Sequence, residues 1–308
     1  MAYGIGWSGE TDSSDVKAVC GDYQAVFGWD MGDIHREKNL DGVNFDNMVD
    51  WMKQINEMGG IITISMHLDN PVSNQNAWYN SEAVSSIFPG QPDNMKHRSI
   101  LQYIADLLDR IKTAEGTYIP VILRPYHEHN HTWSWWGSNS CTTAEYNALW
   151  QMTVEFLRDE SNLVYLLYTI SPQDISSADE YLACYPGDEW VNIFGMDSYN
   201  LWNLPAITNL GQALSIVNEL AMQRGKVAAL TEVGIENIPI ANWWTDYLLA
   251  GINYNEFSQK TAWALVWRNS TTEHHFAPYP GHSSVANFID FYNDPLIYFL
   301  GELQQVYP

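Results

Sequence analysis

The stretch YIPVILRPYHE (118–128) decides the fold. Its apolar and β-branched residues form a continuous run, as expected of a strand that is buried on both faces, and polar residues follow at its carboxyl end. Six further runs of the same character are spread along the chain: AVFGWD (25–30), IITISMH (61–67), LVYLLYTIS (163–171), VNIFGMDSY (191–199), VAALTEVG (227–234) and AWALVWRN (262–269). Together they predict a parallel sheet that is covered on both sides.

Amphipathic helices are predicted between these strands. Apolar residues recur at helical spacing in three connecting segments: Phe45, Met48, Trp51, Met52 and Ile55; Ile100, Leu101, Ile104, Leu108 and Ile111; Tyr146, Leu149, Trp150 and Leu157. Alternating strands and helices are typical of α/β folds. Since no repeat or linker divides the 308 residues, we expect one domain over 1–308, folded as a single (β/α)8 TIM barrel.

Polar residues collect at the carboxyl ends of the predicted strands. They are Asp30, His67, His127 with Glu128, Asp197 with Tyr199, Glu232, and Arg268 with Asn269. In a TIM barrel this rim carries the active site, because the loops that follow the strands face one shared mouth. The longest irregular stretch, residues 70–94, is expected to form one wall of a cleft there.

Composition narrows the possible partners. The formal net charge of -23 disfavours nucleic acid and anionic membranes, and no apolar run approaches the ~18–20 residues of a membrane helix. The 14 Trp and 18 Tyr exceed what core packing requires, and aromatic rings stack on the apolar faces of sugars. A neutral carbohydrate is therefore the expected ligand.

The cysteines and the N-terminus bear on the cellular location. Cys20, Cys141 and Cys184 permit one disulfide at most and lack the spacing of a zinc knuckle. The N-terminus shows no basic segment followed by an apolar one. We expect a secreted monomer whose signal peptide is not part of this sequence.

Two glutamates suggest a reaction. Glu128 and Glu232 each end a predicted buried strand. Retaining hydrolysis of a β-glycosidic bond needs two carboxyl groups ~5–5.5 Å apart, one as proton donor and the other as nucleophile. Distance along the sequence neither supports nor excludes such a pair.

The segment LRPYHEHNHTWSWWG (123–137) resembles the acid/base region of glycoside hydrolase family 26, whose best-known members are β-mannanases. Five other motifs follow the order of that family: FGWD (27–30), GGIITISMHLDNP (59–71), GMDSY (195–199), TEVG (231–234) and LVWRN (265–269). The resemblance covers most of the chain. It implies a clan A barrel without cofactor or metal, which cleaves internal β-1,4 bonds of mannan, glucomannan and galactomannan with retention.

The same resemblance implies roles for the residues nearest the reaction. Glu128 matches the acid/base of the family and Glu232 matches its nucleophile. Tyr199 matches a tyrosine that donates a hydrogen bond to the nucleophile, and Arg124 and Asp197 resemble supports of the catalytic pair. The adjacent tryptophans favour a protonated Glu128, because an apolar setting disfavours the charged form.

Other matched residues are implied to bind sugar. His127 matches a histidine near the cleavage point, and His67 matches one at the mouth of a subsite. Trp133 and Trp267 match aromatics that flank the cleaved residue, and Arg268 matches an arginine on the glycone side.

The chain departs from the family at two places. Family members open with a strand ending in Gly-His-Gln, whereas this sequence starts MAYGIGW. Either that strand precedes the sequence, or YGIGW (3–7) takes the first place in the barrel. His129 and His131 stand where less basic residues are expected.

The sequence is compatible with three alternative functions. The run 127–131 satisfies the H-E-x-x-H zinc pattern, but that motif requires a helix, and this run follows a strand end with Pro125. A sugar-binding barrel without activity is a second alternative. A third alternative is a relative of the family with another activity. Such a relative acts on mixed-linkage β-glucan or β-1,3-xylan, or releases mannobiose from chain ends.

Overall fold

Seven parallel strands occupy the seven positions predicted from the sequence. The computed structural model describes residues 14–303. The strands are β1 (Val26–Asp30), β2 (Ile61–Ser65), β3 (Val121–Arg124), β4 (Leu166–Ile170), β5 (Ile193–Ser198), β6 (Val227–Val233) and β7 (Ala264–Val266). They pair in the consecutive order β1 to β7, and every pair is parallel.

The α-helices of the described residues are α1 (Asp15–Cys20), α2 (Phe45–Glu57), α3 (Asn94–Leu108), α4 (Thr143–Val154), α5 (Ala178–Leu182), α6 (Leu204–Gln223), α7 (Ala250–Ile252) and α8 (Val285–Tyr292). Six of these helices lie between the described strands, α1 precedes β1, and α8 follows β7. The three predicted helices are confirmed as α2, α3 and α4. Ile111 lies beyond the end of α3, and Leu157 lies in a π-helical turn that continues α4.

This arrangement confirms the predicted barrel. Parallel strands in consecutive order, joined by helices, form a nearly closed (β/α) barrel. The segment YGIGW (3–7), one of the two alternatives for the first strand of the barrel, lies outside the described residues. Among the helices of residues 14–303, none combines the length and the apolar character needed to span a membrane.

Inside the barrel, polar side chains lie nearer the carboxyl ends of the strands than a small apolar cluster does. Ile122 of β3, Ile193 of β5 and Ala229 of β6 form a small buried cluster. Successive side chains of a strand point to opposite faces. Residues two or four positions after Ile122 or Ile193 in the same strand therefore also point into the barrel. Arg124 and Asp197 follow at such positions and lie nearer the carboxyl ends of β3 and β5.

A β-bulge turns Glu232 towards the same interior. Met196 pairs with Leu230, but the next residue of β5, Asp197, pairs with Glu232, which leaves Thr231 as an extra residue in β6. In regular register Thr231 would oppose Asp197 and Glu232 would point to the other face. Bulges often re-aim a side chain beside an active site, and this one brings Glu232 next to Asp197.

The long connection between β2 and α3 packs against the segment that follows Glu128. It is irregular as predicted, apart from one 3₁₀ turn at Val84–Ser86. The Asn80 side-chain amide donates to the Thr132 carbonyl at 2.8 Å, and the Ser140 hydroxyl donates to the Asn80 carbonyl at 2.7 Å. These bonds fix the loop beside the barrel mouth.

Candidate active site

A buried arginine lies at the centre of the polar groups in the barrel mouth. Arg124 donates to Asp197 Oδ2 at 2.7 Å and to the Ser171 hydroxyl at 3.0 Å, and it also contacts Glu232 Oε1. All three charged side chains are almost completely buried. Buried charges need partners and hydrogen bonds, and the single guanidinium supplies both to two carboxylates.

Glu232 is held through both of its oxygens. Arg124 contacts Oε1, and the Tyr199 hydroxyl donates to Oε2 at 2.6 Å. Both bonds require acceptor oxygens, which an ionised carboxylate offers on each side. The contact from Tyr199 to Glu232 is the one that the sequence resemblance implied.

Glu128 lies in a turn and not at the end of a strand, so that part of the sequence prediction is wrong. β3 ends at Arg124, and Glu128 follows four residues later. Pro125 has no N–H to continue the sheet, and Tyr126 and Glu128 have φ of 46° and 53°, in the left-handed region. Such conformations cost about 1–3 kcal/mol each and are concentrated at functional sites.

The turn also excludes the zinc-protease reading. Residues 125–131 form turns and bends, so His127 and His131 do not share one face of a helix as that motif requires.

The carboxyl groups of Glu128 and Glu232 face one another. One oxygen from each, together with one from Asp197, lies within 4.8 Å of the others. Trp133 Nε1 donates to Glu128 Oε2 at 2.7 Å and sets the direction of that side chain. The separation matches the close spacing that retaining glycosidases use.

The surroundings of Glu128 favour its protonated form. Burial, together with the negative charges of Asp197 and Glu232, raises the pKa of Glu128 well above its usual value, although Arg124 and Trp133 act in the opposite direction. Burial also raises the pKa of Asp197, although Arg124 and the hydrogen bond from Thr231 act in the opposite direction. A carboxyl group that is protonated near neutral pH can act as a general acid.

Asp30 and two histidines form a second buried chain of hydrogen bonds. Asp30 Oδ2 lies 2.7 Å from His67 Nδ1, and His67 Nε2 lies 3.2 Å from His127 Nε2. Burial alone would lower the pKa of His67, but the Asp30 carboxylate outweighs it and raises that pKa. Burial and the charges of Arg124 and His67 hold the pKa of His127 well below its usual value. These opposite shifts favour a hydrogen bond in which His67 donates and His127 accepts at Nε2.

The sugar-binding role implied for His127 requires an accessible side chain, and in this structure the side chain is buried. The side chain is 1% exposed, and its Nδ1 is buried. Its place beside Glu128 agrees with the sequence, but its direct contact with sugar stays a prediction.

Three tryptophans surround His67 and line the mouth. Trp78, Trp133 and Trp267 have ring centroids 5.1, 5.6 and 5.7 Å from that of His67. Trp78 comes from the long loop after β2 and is 51% exposed. The sequence indicated a wall formed by this loop but did not single out Trp78, because nothing in an irregular loop shows which side chain faces the cleft.

Arg268 has a buried acidic neighbour that the sequence analysis missed. Arg268 Nε lies 3.0 Å from Asp41 Oδ1, and the Asp41 side chain is 1% exposed. Burial raises the pKa of Asp41 to about 6, although Arg268 lowers it. Asp41 lies in the connection after β1, far from any motif, so no sequence signal marked it.

Within residues 14–303, two groups of side chains have oxygens or nitrogens close enough to share a metal ion: Glu128 with Asp197 and Glu232, and Asp33 with His35 and Asp69. In the first, Arg124 already contacts two of the carboxylates. In the second, Arg36 Nε lies 3.3 Å from Asp33. An arginine side chain thus contacts at least one carboxylate of each group.

A parallel barrel with two facing glutamates at its mouth is the arrangement of a large class of glycoside hydrolases. Residues 2–285 match the family model described as Glycosyl hydrolase family 26. The chain belongs to this family.

Similar proteins carry mannanase names. A mannan endo-1,4-β-mannosidase of Bifidobacterium adolescentis is 34% identical over 74% of this chain, but the chain spans only 24% of its length. One from Bacillus subtilis is 28% identical, with 84% of this chain and 70% of that protein covered.

Solved structures agree with the fold. A family 26 β-mannanase from Bacteroides ovatus has a TM-score of 0.95 and 37% identity, and the match covers 100% of this chain and 90% of that one. A modular endo-β-1,4-mannanase from Cellulomonas fimi has a TM-score of 0.89 and 32% identity over 95% of this chain and 68% of that one. Both matches confirm the predicted barrel.

The raised pKa of Glu128 predicts how stability changes with pH. The folded state favours the protonated form, so its stabilising contribution is full below the unfolded pKa and is lost as pH rises through the folded pKa. Glu128→Gln keeps a neutral side chain at every pH. Its thermal midpoint should equal that of the wild type near pH 4 and exceed it increasingly as the pH rises towards 9.

Calorimetry of both proteins across that range measures the difference. The exposed Glu115→Gln serves as the matched control and should give no such trend. A difference that shrinks as the pH rises would show that Glu128 is not held in its protonated form.

Proposed function

We propose that this protein is an endo-acting retaining hydrolase of β-1,4-mannosidic bonds in mannan, glucomannan and galactomannan. The observation that carries the proposal is the pair Glu128 and Glu232, with oxygens within 4.8 Å of one another and in different environments. Membership of family 26 and the names of the similar proteins support the choice of substrate.

The two glutamates divide a double displacement between them. In the first step Glu128 gives its proton to the glycosidic oxygen, while a Glu232 oxygen attacks the anomeric carbon and the bond to the leaving group breaks. In the second step Glu128, now ionised, takes a proton from water. The water oxygen attacks the anomeric carbon, the bond to Glu232 breaks, and the sugar leaves with its original configuration.

The neighbouring residues adjust this cycle. Arg124 and Tyr199 fix the orientation of Glu232 through its two oxygens, and Asp197 anchors Arg124. Burial and the charges of Asp197 and Glu232 raise the pKa of Glu128, and the Glu232 contribution disappears when Glu232 becomes an ester. Glu128 therefore becomes a stronger acid, and its ionised form can serve as the base of the second step.

The aromatic groups around His67 provide stacking surfaces for sugar rings. We assign Trp78, Trp133 and Trp267 to this role, because their rings lie around the same point of the cleft. Arg268, paired with Asp41, is assigned to hydroxyl groups on the glycone side. His127 is assigned to the sugar nearest the cleaved bond, and His67 is assigned to the mouth of a subsite.

The wider setting is also part of the proposal. A net charge of -23 suits an extracellular enzyme that acts on a neutral polymer, and we assign the chain to a single secreted, monomeric catalytic domain. Neither nucleic acid nor a membrane is part of the proposed activity.

Product analysis tests the substrate and the mode of attack. Linear mannan, galactomannan, lichenan and β-1,3-xylan should be compared, with Glu232→Ala as a control. The proposal expects a series of mannooligosaccharides early in digestion and a rapid fall in viscosity of galactomannan. Products from lichenan or xylan alone would refute the mannanase assignment, and release of mannobiose only would identify an enzyme that acts on chain ends.

Azide rescue tests the roles of the two glutamates. Glu128→Ala should lose about 10²–10⁴-fold on polysaccharide, yet release a burst of phenol from an aryl β-mannobioside with an acidic phenol, which departs without protonation. Azide needs no general base, so it should accelerate the second step and give a β-mannosyl azide.

Glu232→Ala is the matched variant for this experiment. It cannot form the glycosyl-enzyme and should give no burst. Rescue of Glu232→Ala by azide with an α-azide product, and none with Glu128→Ala, would mean that the two roles are reversed.

A further inference from the structure

The turn that carries Glu128 has no partner strand. β3 ends at Arg124, and Tyr126 and Glu128 both adopt left-handed backbone conformations, with φ of 46° and 53°. A bulky aromatic residue rarely adopts such a conformation, so the surrounding structure must hold the turn in place. The position of the Glu128 carboxyl group depends on whatever holds it.

Three hydrogen bonds from three different segments hold this turn, one at each residue from 126 to 128. They are Tyr146 hydroxyl to the Tyr126 carbonyl at 3.0 Å, Trp136 Nε1 to the His127 carbonyl at 2.8 Å, and Glu128 N–H to the Ser171 carbonyl at 2.7 Å. Two of the three donors are side chains. The backbone of the turn is therefore fixed mainly by tertiary contacts.

Tyr146 is well suited to this task. It lies in the first turn of α4, and its side chain is almost completely buried. Its ring centroid lies 4.4 Å from that of His129, the residue that follows Glu128 in the sequence. A buried ring held in this way offers its hydroxyl from a fixed position, and it does not face the cleft.

We propose that Tyr146 is a positioning residue for the general acid/base, because its hydroxyl fixes the left-handed turn that aims Glu128 at the glycosidic oxygen. The proposal rests on the role assigned to Glu128 above. Without the hydroxyl, the Tyr126 carbonyl loses its partner, and the turn can relax towards backbone conformations that move the carboxyl group away. Proton donation depends on placement to a fraction of an ångström, so it should suffer first.

Tyr146→Phe tests the proposal through its dependence on the leaving group. On mannopentaose, whose leaving group needs a proton, kcat/KM should fall about tenfold or more, a part of the ~10²–10⁴-fold that a general acid provides. On 2,4-dinitrophenyl β-mannobioside, kcat/KM should stay within about twofold, because this ratio reports the first step and the phenolate leaves unprotonated.

Tyr165→Phe is the matched control. It removes a tyrosine hydroxyl that donates to a backbone carbonyl, that of Leu108 at 2.7 Å, outside the barrel mouth. It should leave kcat/KM unchanged on both substrates. Equal losses of Tyr146→Phe on both substrates, or no loss on either, would overturn the proposal.

Two further variants separate the proposed function from the role of Tyr146 and replace Tyr146→Phe if it does not fold. Glu128→Ala in the same assay must show the strongest dependence on the leaving group. If it shows none, the proposed function fails and the role of Tyr146 fails with it. If Glu128→Ala shows this dependence and Tyr146→Phe does not, only the role of Tyr146 is overturned. If Tyr146→Phe does not fold, Trp136→Phe removes the neighbouring bond to the turn and should give the same selective loss. An equal loss of that variant on both substrates counts against the proposal.

Discussion

The barrel mouth depends on one buried cation among three carboxyl groups. Arg124 reaches Asp197 and Glu232 directly, and Glu128 lies within 4.8 Å of both acids through its oxygens. Removing one partner of a buried ion pair costs about 3–5 kcal/mol, because the remaining charge has no compensation. Without Arg124, the buried carboxyl groups of Asp197 and Glu232 would lose the cation that both of them contact.

The backbone provides the placement that this cluster needs. A bulge in β6 turns Glu232 into the interior, and a left-handed turn after β3 brings Glu128 across from it. Regular strands would supply neither, since strict alternation would point Glu232 to the other face. Each of the two residues assigned to the chemistry thus lies at an irregularity of the backbone.

The sequence predicted the architecture well, because buried parallel strands give continuous apolar runs. All seven described strands lie within the predicted runs, and Arg124, Asp197, Tyr199 and Glu232 come together as the resemblance implied. It could not show where β3 ends, since VILRPYHE continues the apolar pattern past the last paired residue.

Contacts made by loops were beyond sequence reasoning. Trp78 reaches the cleft from an irregular loop, Asp41 pairs with Arg268 across the barrel mouth, and Tyr146 was read only as part of a helical stripe in the core. Its hydroxyl bond to the Tyr126 carbonyl depends on tertiary geometry that periodicity does not encode.

The most direct measurement of the central claim is the site of covalent labelling by 2-deoxy-2-fluoro-β-mannobiosyl fluoride. The fluoride leaves without a proton, and the 2-fluoro group slows the second step, so the glycosyl-enzyme should accumulate. Mass spectrometry should find one fluoromannobiosyl group per chain, on the peptide that contains Glu232. A label on Glu128 or Asp197, or turnover without any label, would contradict the assignment of Glu232 as the nucleophile.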